Sequence, residues 1–186
     1  MIERESKNWT WVNERPCDEC GFDASTIEAS ATDRVLARAV DDWSELFGRH
    51  DVERLRRRPD PATWSPLEYA CHVRDVLDLL DLRIDRVVRE EHPTFDDWHP
   101  DDRAEAGRYD LEIDPVAVLA RLVTNAHRVI DRIGGLSVLD WRRRGTRADG
   151  LEFTAAFITT YLTHDVVHHL HDVRRILEDD RASHEL

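Results

Sequence analysis

Residues 65–91 read SPLEYACHVRDVLDLLDLRIDRVVREE and contain the clearest helix signal in the chain. Ser65 is suited to cap the helix, Pro66 occupies its first position, and Glu68 stands three residues after the cap. Apolar residues then recur every three or four positions until about Glu91. A helix of this length is typical of a bundle, so the segment favours a fold in which long apolar helix faces pack together.

Three further segments show helical periodicity of the same kind. In chain order, the predicted helices run from Ala31 to Phe47 behind a Ser30 cap, from Asp114-Pro115 to Ile133, and from about Thr154 to Leu177. Two glycines between residues 141 and 153 separate short β-compatible pieces, which predicts a small hairpin there. The sequence therefore predicts an all-α protein, a four-helix bundle with a short hairpin before the last helix.

The length of 186 residues suits a single domain, which we expect at 25–186, preceded by an extended N-terminal arm at 1–24. Trp9 and Trp11 alternate with polar residues in this arm. Aromatic residues in such an arm usually pack onto the surface of the adjoining domain.

The arm also contains the pair Cys17 and Cys20, followed by glycine. This spacing fits half of a zinc site or a redox pair. A complete zinc site needs two further ligands, and Cys71, the remaining cysteine, falls on the second predicted helix. A structural or incidental role is the leading interpretation, with redox and metal roles as alternatives.

The formal net charge of −13 argues against nucleic acid and anionic membrane surfaces as partners, because both attract an excess of Lys and Arg. Residues 1–13 are charged and contain no apolar run, so no secretory signal is expected. No apolar stretch approaches the roughly 18 residues that a membrane span requires. These features favour a cytoplasmic protein.

The last predicted helix contains four histidines within eight residues, from His164 to His171. His164 and His168 are four residues apart, so their imidazoles share one helix face and can converge on one ion. A zinc, nickel or iron site with a position open for substrate generally needs three protein ligands. His72 on the second helix is the best candidate for the third, with His127 in reserve.

The other two histidines of the cluster, His169 and His171, allow several interpretations. His171 is a candidate fourth ligand, a donor behind the ligands, or an acid/base in a pocket. By helical spacing, His169 points away from the stripe that contains His164 and His168, which makes it the weakest ligand candidate. Asp97, in the loop after the second helix, is our first choice for an extra polar contact at the mouth of the bundle.

In its motifs, the chain resembles the DinB-like superfamily of metal-binding four-helix bundles, which includes the N-terminal domain of mycothiol-dependent maleylpyruvate isomerase. The matching motifs are Trp64-Ser-Pro-Leu-Glu68 followed by His72, and His164-x-x-x-His168-His169. The resemblance spans roughly residues 32–178. It implies an up-down-down-up bundle.

The same resemblance implies that His72, His164 and His168 hold Zn²⁺, Ni²⁺ or another divalent ion. One departure leaves a second register open. In many members the double histidine follows the preceding ligand by three and four residues, whereas here it follows His164 by four and five. Anchored on the double histidine, the pair from the last helix becomes Asp165 and His169.

Several relatives are transferases or isomerases that use a low-molecular-weight thiol. The resemblance thus implies that the metal activates mycothiol or bacillithiol for attack on a small electrophile. A non-catalytic module that binds metal or a small ligand in a stress response is the alternative. A third hypothesis is a helical homodimer in which the histidines only line a wet pocket. In each case the expected partners are small molecules or a second copy of the chain.

Overall fold

The computed structural model describes residues 9–184, with side chains from 9 to 178. In chain order, its elements are α1 (Thr32–Gly48), α2 (Val52–Arg56), α3 (Pro66–Arg89), β1 (Thr94–Phe95), α4 (Pro100–Gly107), α5 (Pro115–Gly134), β2 (Arg144–Arg147), β3 (Glu152–Thr154) and α6 (Ala155–His184). The four long helices α1, α3, α5 and α6 form a bundle, as predicted. Each predicted long helix is present, with α6 extending further than expected.

Helix α3 lies between α5 and α6, and α1 contacts the same two helices from the other side. Asn125 on α5 donates to the carbonyl of Arg74 on α3. Arg132, about two turns further along α5, pairs with Asp81 and Asp85, which also lie further along α3. The contact positions on α3 and α5 therefore rise together, so these helices run parallel. Helices α3 and α6 run antiparallel, since Tyr69 contacts His169 whereas His72, further along α3, contacts Asp165, which comes earlier on α6. The expected up-down-down-up arrangement is confirmed.

The core lies between these four helices and is built from large side chains with almost no exposure. They include Leu36, Trp43, Leu77, Leu80, Leu122 and Ile158. The indole N–H of Trp43 donates to the carbonyl of Val166 over 3.4 Å, which satisfies the polar atom of this buried ring. Burial of a side chain of this size stabilises the fold by about 1.5–3 kcal/mol, so the bundle provides a rigid frame for groups at its end.

The start of α3 is as predicted. The hydroxyl of Ser65 accepts from the amide of Glu68, and the carboxylate of Glu68 accepts from the amide of Ser65. Arg58 donates to the same carboxylate. The predicted Ser30 cap of α1 is wrong, because Ala29–Ala31 form a 3-10 turn and Ala31 precedes the helix without a side-chain bond.

The predicted hairpin is confirmed, since β2 and β3 pair antiparallel. Strand β1 adds to β2 in parallel, which makes a three-stranded sheet. Both β1 and α4 lie in the segment that the sequence indicated as a polar loop. Helix α4 buries none of its residues, so no apolar period marked it. Its start is nevertheless stabilised, because the His99 ring accepts from the amide of Asp101 and Pro100 follows the cap.

The N-terminal segment is not extended where the structure describes it. Residues 9–13 form a 3-10 turn that packs against α6, and Val12 is fully buried. The side-chain amide of Asn13 donates to the carbonyl of Phe157. The segment folds because its apolar side chains find partners on α6, which alternation alone does not reveal. Residues 1–8 of the predicted arm lie outside the described residues. Across the part of the chain that is described, no helix is both long and apolar enough for a membrane span.

Candidate metal centres

Helix α6 presents two pairs of potential ligands, each four residues apart and offset from each other by one position. One pair is His164 and His168, and the other is Asp165 and His169. A step of one residue turns a side chain by about 100° around a helix. The two pairs therefore face different neighbours, and the structure gives each pair a separate set of partners.

The first set, which we call the open group, consists of His72 of α3 with Asp165 and His169 of α6. Nε2 of His72 lies 3.2 Å from one carboxylate oxygen of Asp165, and Nε2 of His169 lies 3.5 Å from the other. Two ligand atoms about 2.1 Å from one ion, at angles of about 90–110°, stand about 3.0–3.4 Å apart. The separations within the open group are thus close to those of a coordinated divalent ion.

A second carboxylate orients the ring of His169. Its Nδ1–H donates to Asp172 over 3.0 Å, which leaves Nε2 directed at Asp165. Such a carboxylate behind a histidine fixes the ring and its tautomer, an arrangement typical of metal sites. Tyr69 packs against the same ring at 5.1 Å and Trp64 packs against His72 at 5.4 Å. The open group is therefore held rigidly.

Charges within the open group are strongly coupled. Burial lowers the pKa of His169, but the carboxylates of Asp165 and Asp172 outweigh it and raise the pKa to about 9. Burial opposes ionisation of Asp165, yet His169 and His72 hold its pKa well below the usual range. Burial lowers the pKa of His72, so this ring is neutral at pH 7 and its nitrogen lone pair is available.

The open group borders a cavity of about 540 Å³ at the end of the bundle. Trp98 and Asp97 line it from the loop after α3, as the sequence indicated for Asp97. Arg83 and Tyr161 line it further along the bundle. A cavity of this size has room for a small molecule, and its walls combine aromatic rings with charged groups.

The second set, the Cys2His2 group, consists of Cys17, Cys20, His164 and His168. Sγ of Cys17 lies 3.6 Å from Nδ1 of His168, and the four potential ligand atoms all lie within 4.8 Å of one another. Burial and the neighbouring His168 lower the pKa of His164 to about 4. Burial lowers the pKa of His168 as well. Both rings are neutral at pH 7 and able to act as ligands.

A third set shares His168 with the Cys2His2 group and contains Asp172, which orients His169 of the open group. Glu19, His168 and Asp172 also bring potential ligand atoms together. The carboxylate of Glu19 lies 3.6 Å from Nε2 of His168, but its side chain is 46% exposed. The third set therefore lies between the open group and the Cys2His2 group, and it is the most solvent-exposed of the three sets.

The predicted triad is divided between these sets. His72 joins Asp165 and His169, whereas His164 and His168 join the two cysteines. The open group thus contains Asp165 and His169, the pair that results when the motif is aligned on the double histidine. His169 does lie apart from His164 and His168, as expected, but the expectation that it is the weakest ligand candidate does not match its place beside His72 and Asp165. That expectation assumed that only one face of α6 is turned inward. Helix α6 also packs against α3, so the part of its surface that borders the cavity is wider and includes His169.

The reserve ligand and one uncertain histidine take no part in the described sets. His127 is exposed on α5, and His171 lies beside a different groove, near α1. Sequence reasoning missed the roles of Asp172, Tyr69 and Arg83. For Asp172 a signal exists, because an aspartate three residues after a histidine on a helix shares its face. For Tyr69 and Arg83 no local signal distinguishes a cavity wall from an ordinary helix face.

Fold and donor groups together define a metal-binding four-helix bundle. Residues 36–173, about three quarters of the chain, match the model of the DinB superfamily, so the chain belongs to that superfamily. Among solved structures it is similar to YfiT from Bacillus subtilis, described as a probable metal-dependent hydrolase with an unusual four-helix bundle topology. The two share 16% identity and a TM-score of 0.69 over 81% of this chain and 87% of that one, which shows the shared fold. No curated protein matches the chain.

Proposed function

We propose that this protein is a divalent-metal-dependent enzyme whose ion is held by His72, Asp165 and His169. The observation that carries the proposal is the convergence of two imidazoles and one carboxylate at the wall of the cavity. Three ligands leave further coordination positions for a small molecule that enters from the cavity. When bound there, a divalent ion lowers the pKa of a coordinated water or thiol.

Hydrolysis is the reaction that the donor set favours. Two histidines with one carboxylate are the ligands of several zinc hydrolases, and the same set also suits iron. Zinc is therefore our first choice and nickel the second. The description of YfiT as a probable metal-dependent hydrolase supports the same reaction class. In this chain, the role of His169 and Asp165 is to fix the ion, and the role of Asp172 is to orient His169.

Transfer or isomerisation with mycothiol or bacillithiol is the second candidate. It has the support of the superfamily resemblance and of the cavity volume of about 540 Å³, which accommodates a thiol beside an electrophile. A third outcome is a non-catalytic module that holds metal or a small ligand. These candidates share the ion and differ in the nucleophile, so one set of assays separates them.

Arg83 indicates the charge of the substrate. Its side chain is 7% exposed, its Nε atom has no hydrogen-bond partner within residues 9–178, and it lines the cavity. Burial lowers the pKa of its guanidinium, whose carbon lies 5.4 Å from the centre of the Phe95 ring. A buried cation without a carboxylate partner is costly, and a bound anion removes that cost. We therefore propose a substrate with a carboxylate or phosphate group.

The test is an assay of metal-loaded protein on small anionic esters and amides, with and without mycothiol, bacillithiol or glutathione. We expect turnover with water alone, and His72→Ala to lower it at least about 100-fold because the ion loses a ligand. His127→Ala is the matched control, since that exposed histidine belongs to no described set. Turnover only with a thiol establishes the second candidate. Bound metal without turnover in any assay establishes the non-catalytic module.

A further inference from the structure

The Cys17-x-x-Cys20 segment folds into a tight turn that carries both sulfurs. The amide of Cys17 donates to the carbonyl of Phe22 over 2.8 Å, and the amide of Gly21 donates to the carbonyl of Cys17 over 2.8 Å. Gly21 has a φ of +74°, a conformation that glycine adopts without strain. The glycine after the second cysteine is therefore what closes the turn and holds the two thiols near each other.

This turn lies directly over His164 and His168 of α6. An ion with sulfur ligands at about 2.3 Å and nitrogen ligands at about 2.0–2.1 Å, in tetrahedral geometry, sets a sulfur to nitrogen separation of about 3.5 Å. The separation between Sγ of Cys17 and Nδ1 of His168 is 3.6 Å. All four potential ligand atoms lie within 4.8 Å of one another. The group thus has the dimensions of a four-coordinate site before any ligand has to move far.

A second observation points to a ligand in the same place. His164 is 3% exposed, and its Nε2 atom is buried with no hydrogen-bond partner among the described residues. A buried polar atom without a partner costs free energy, and coordination of an ion satisfies it. A simple contact between Cys17 and His168 leaves this nitrogen unsatisfied. The same holds for a disulfide between Cys17 and Cys20.

We propose that Cys17, Cys20, His164 and His168 bind one Zn²⁺ ion in a closed tetrahedral site. Cysteines separated by two residues and histidines separated by three are the ligand spacing of structural zinc sites. Four protein ligands leave no position for a substrate, so this ion has a structural role. It ties the N-terminal segment to α6, joining Cys17 to His164 across a sequence separation of 147 positions.

Aromatic rings cover one side of the proposed site. The ring of Trp9 lies 5.7 Å from that of His164 and 4.9 Å from that of His168, and the ring of Phe22 lies 5.4 Å from His164. Cys17 is 1% exposed. His164 and His168 also line the cavity beside the open group, but four protein ligands, against three in the open group, slow the exchange of the ion held with the cysteines. The two sites are therefore distinguishable by how fast a chelator removes their ions.

The first test is the absorption spectrum of reduced wild-type protein loaded with Co²⁺ in place of Zn²⁺. Cobalt bound by two thiolates and two imidazoles gives a thiolate-to-cobalt charge-transfer band and the intense visible bands of a tetrahedral ion. We expect these bands at one equivalent of tightly held cobalt. Folded wild-type protein that shows no charge-transfer band overturns the proposal, and this measurement needs no variant.

Variants assign the band to its ligands. We expect Cys20→Ser to reduce the charge-transfer band to about half, since one thiolate remains. Cys71→Ser is the matched control, because this third thiol is buried in the core away from the group, and it should leave the band unchanged. His72→Ala removes a ligand of the open group only and should also leave it unchanged. An undiminished band in Cys20→Ser, or its loss in His72→Ala, contradicts the assignment.

Discussion

The two ligand pairs of α6 use the same helical spacing and differ in what faces them. Asp165 and His169 face α3 and a cavity, and they sit among carboxylates. His164 and His168 border the same cavity but contact the N-terminal segment, where they lie among thiols and aromatic rings. An i, i+4 pair therefore supplies two ligands in either case, and the neighbouring element decides the kind of site.

The pKa values of two histidines on this one helix show how strong the effect of the neighbours is. Burial and His168 lower the pKa of His164 to about 4. Burial acts on His169 in the same direction, but the adjacent carboxylates reverse it and raise the pKa to about 9. Five residues of sequence separate His164, an imidazole that is neutral at pH 7, from His169, an imidazole that is protonated at pH 7 and must release its proton before it coordinates an ion.

Removal of a sulfur ligand should have the largest effect on stability. We expect Cys20→Ser to lower the free energy of unfolding by about 3–5 kcal/mol, a loss similar to that of a native cross-link over a long loop. Thermal and urea unfolding of zinc-loaded protein measure it, with Cys71→Ser as control. If the variant unfolds like wild type while its cobalt spectrum has changed, the ion does not stabilise the fold.

The carboxylate behind the open group should control metal affinity. We expect Asp172→Asn to weaken binding of the exchangeable ion about 10–100-fold, because a neutral amide replaces the charged carboxylate that fixes the ring of His169 and increases its basicity. Titration with a competing chelator measures this affinity. Asp42→Asn is the control, since Asp42 pairs with Arg174 on another side of α6. Equal metal affinities in Asp172→Asn and wild type contradict the assignment of His169 as a ligand.

Substitution of Arg83 tests the role of the cavity beside the open group without removing a metal ligand. We expect Arg83→Leu to keep or slightly increase the stability of the fold, since an apolar group replaces a buried guanidinium that makes no ion pair within residues 9–178. The same change should raise KM for anionic substrates about 10-fold, a loss of about 1.4 kcal/mol in binding, with kcat little altered. Arg86→Leu is the control, because Arg86 pairs with Glu90 and does not line the cavity.

A carboxylate outside both groups should give the smallest effect. Burial disfavours the ionised form of Glu68, but Arg58 and the amide of Ser65 outweigh it and keep the pKa of this carboxyl below the ordinary 4.5. The stabilisation of the fold by ionised Glu68 is therefore fully present above about pH 4.5 and is lost as the pH falls through the lowered pKa of the folded state. We expect Glu68→Gln to destabilise the fold by about 1 kcal/mol at pH 7, and by less in acid. Urea unfolding at several pH values checks this.

Local sequence signals account for most of the fold. Ser65 and Glu68 mark the start of α3, Asp114 marks that of α5, and glycines mark the hairpin. These signals succeed because they depend on residues close in the chain. Helix α4 escaped prediction because it buries no residue and so has no apolar period.

The candidate site was only partly predictable. Spacing identified α6 as the source of ligands and His72 as a partner, but it could not decide which pair faces α3. That choice depends on the rotation of α6 against its neighbours. The partners of Cys17 and Cys20 lie at the other end of the chain, and only the fold of the N-terminal segment brings them together.

Elemental analysis of untagged protein tests the central claim most directly, which is that α6 serves two separate metal sites. We expect two divalent ions per chain in wild type, and one in both His72→Ala and Cys20→Ser. The ion that remains should be hard to chelate in His72→Ala and easy to chelate in Cys20→Ser. A single ion per chain, lost equally from His72→Ala and His164→Ala, contradicts the account and points to one site shared by His72, His164 and His168.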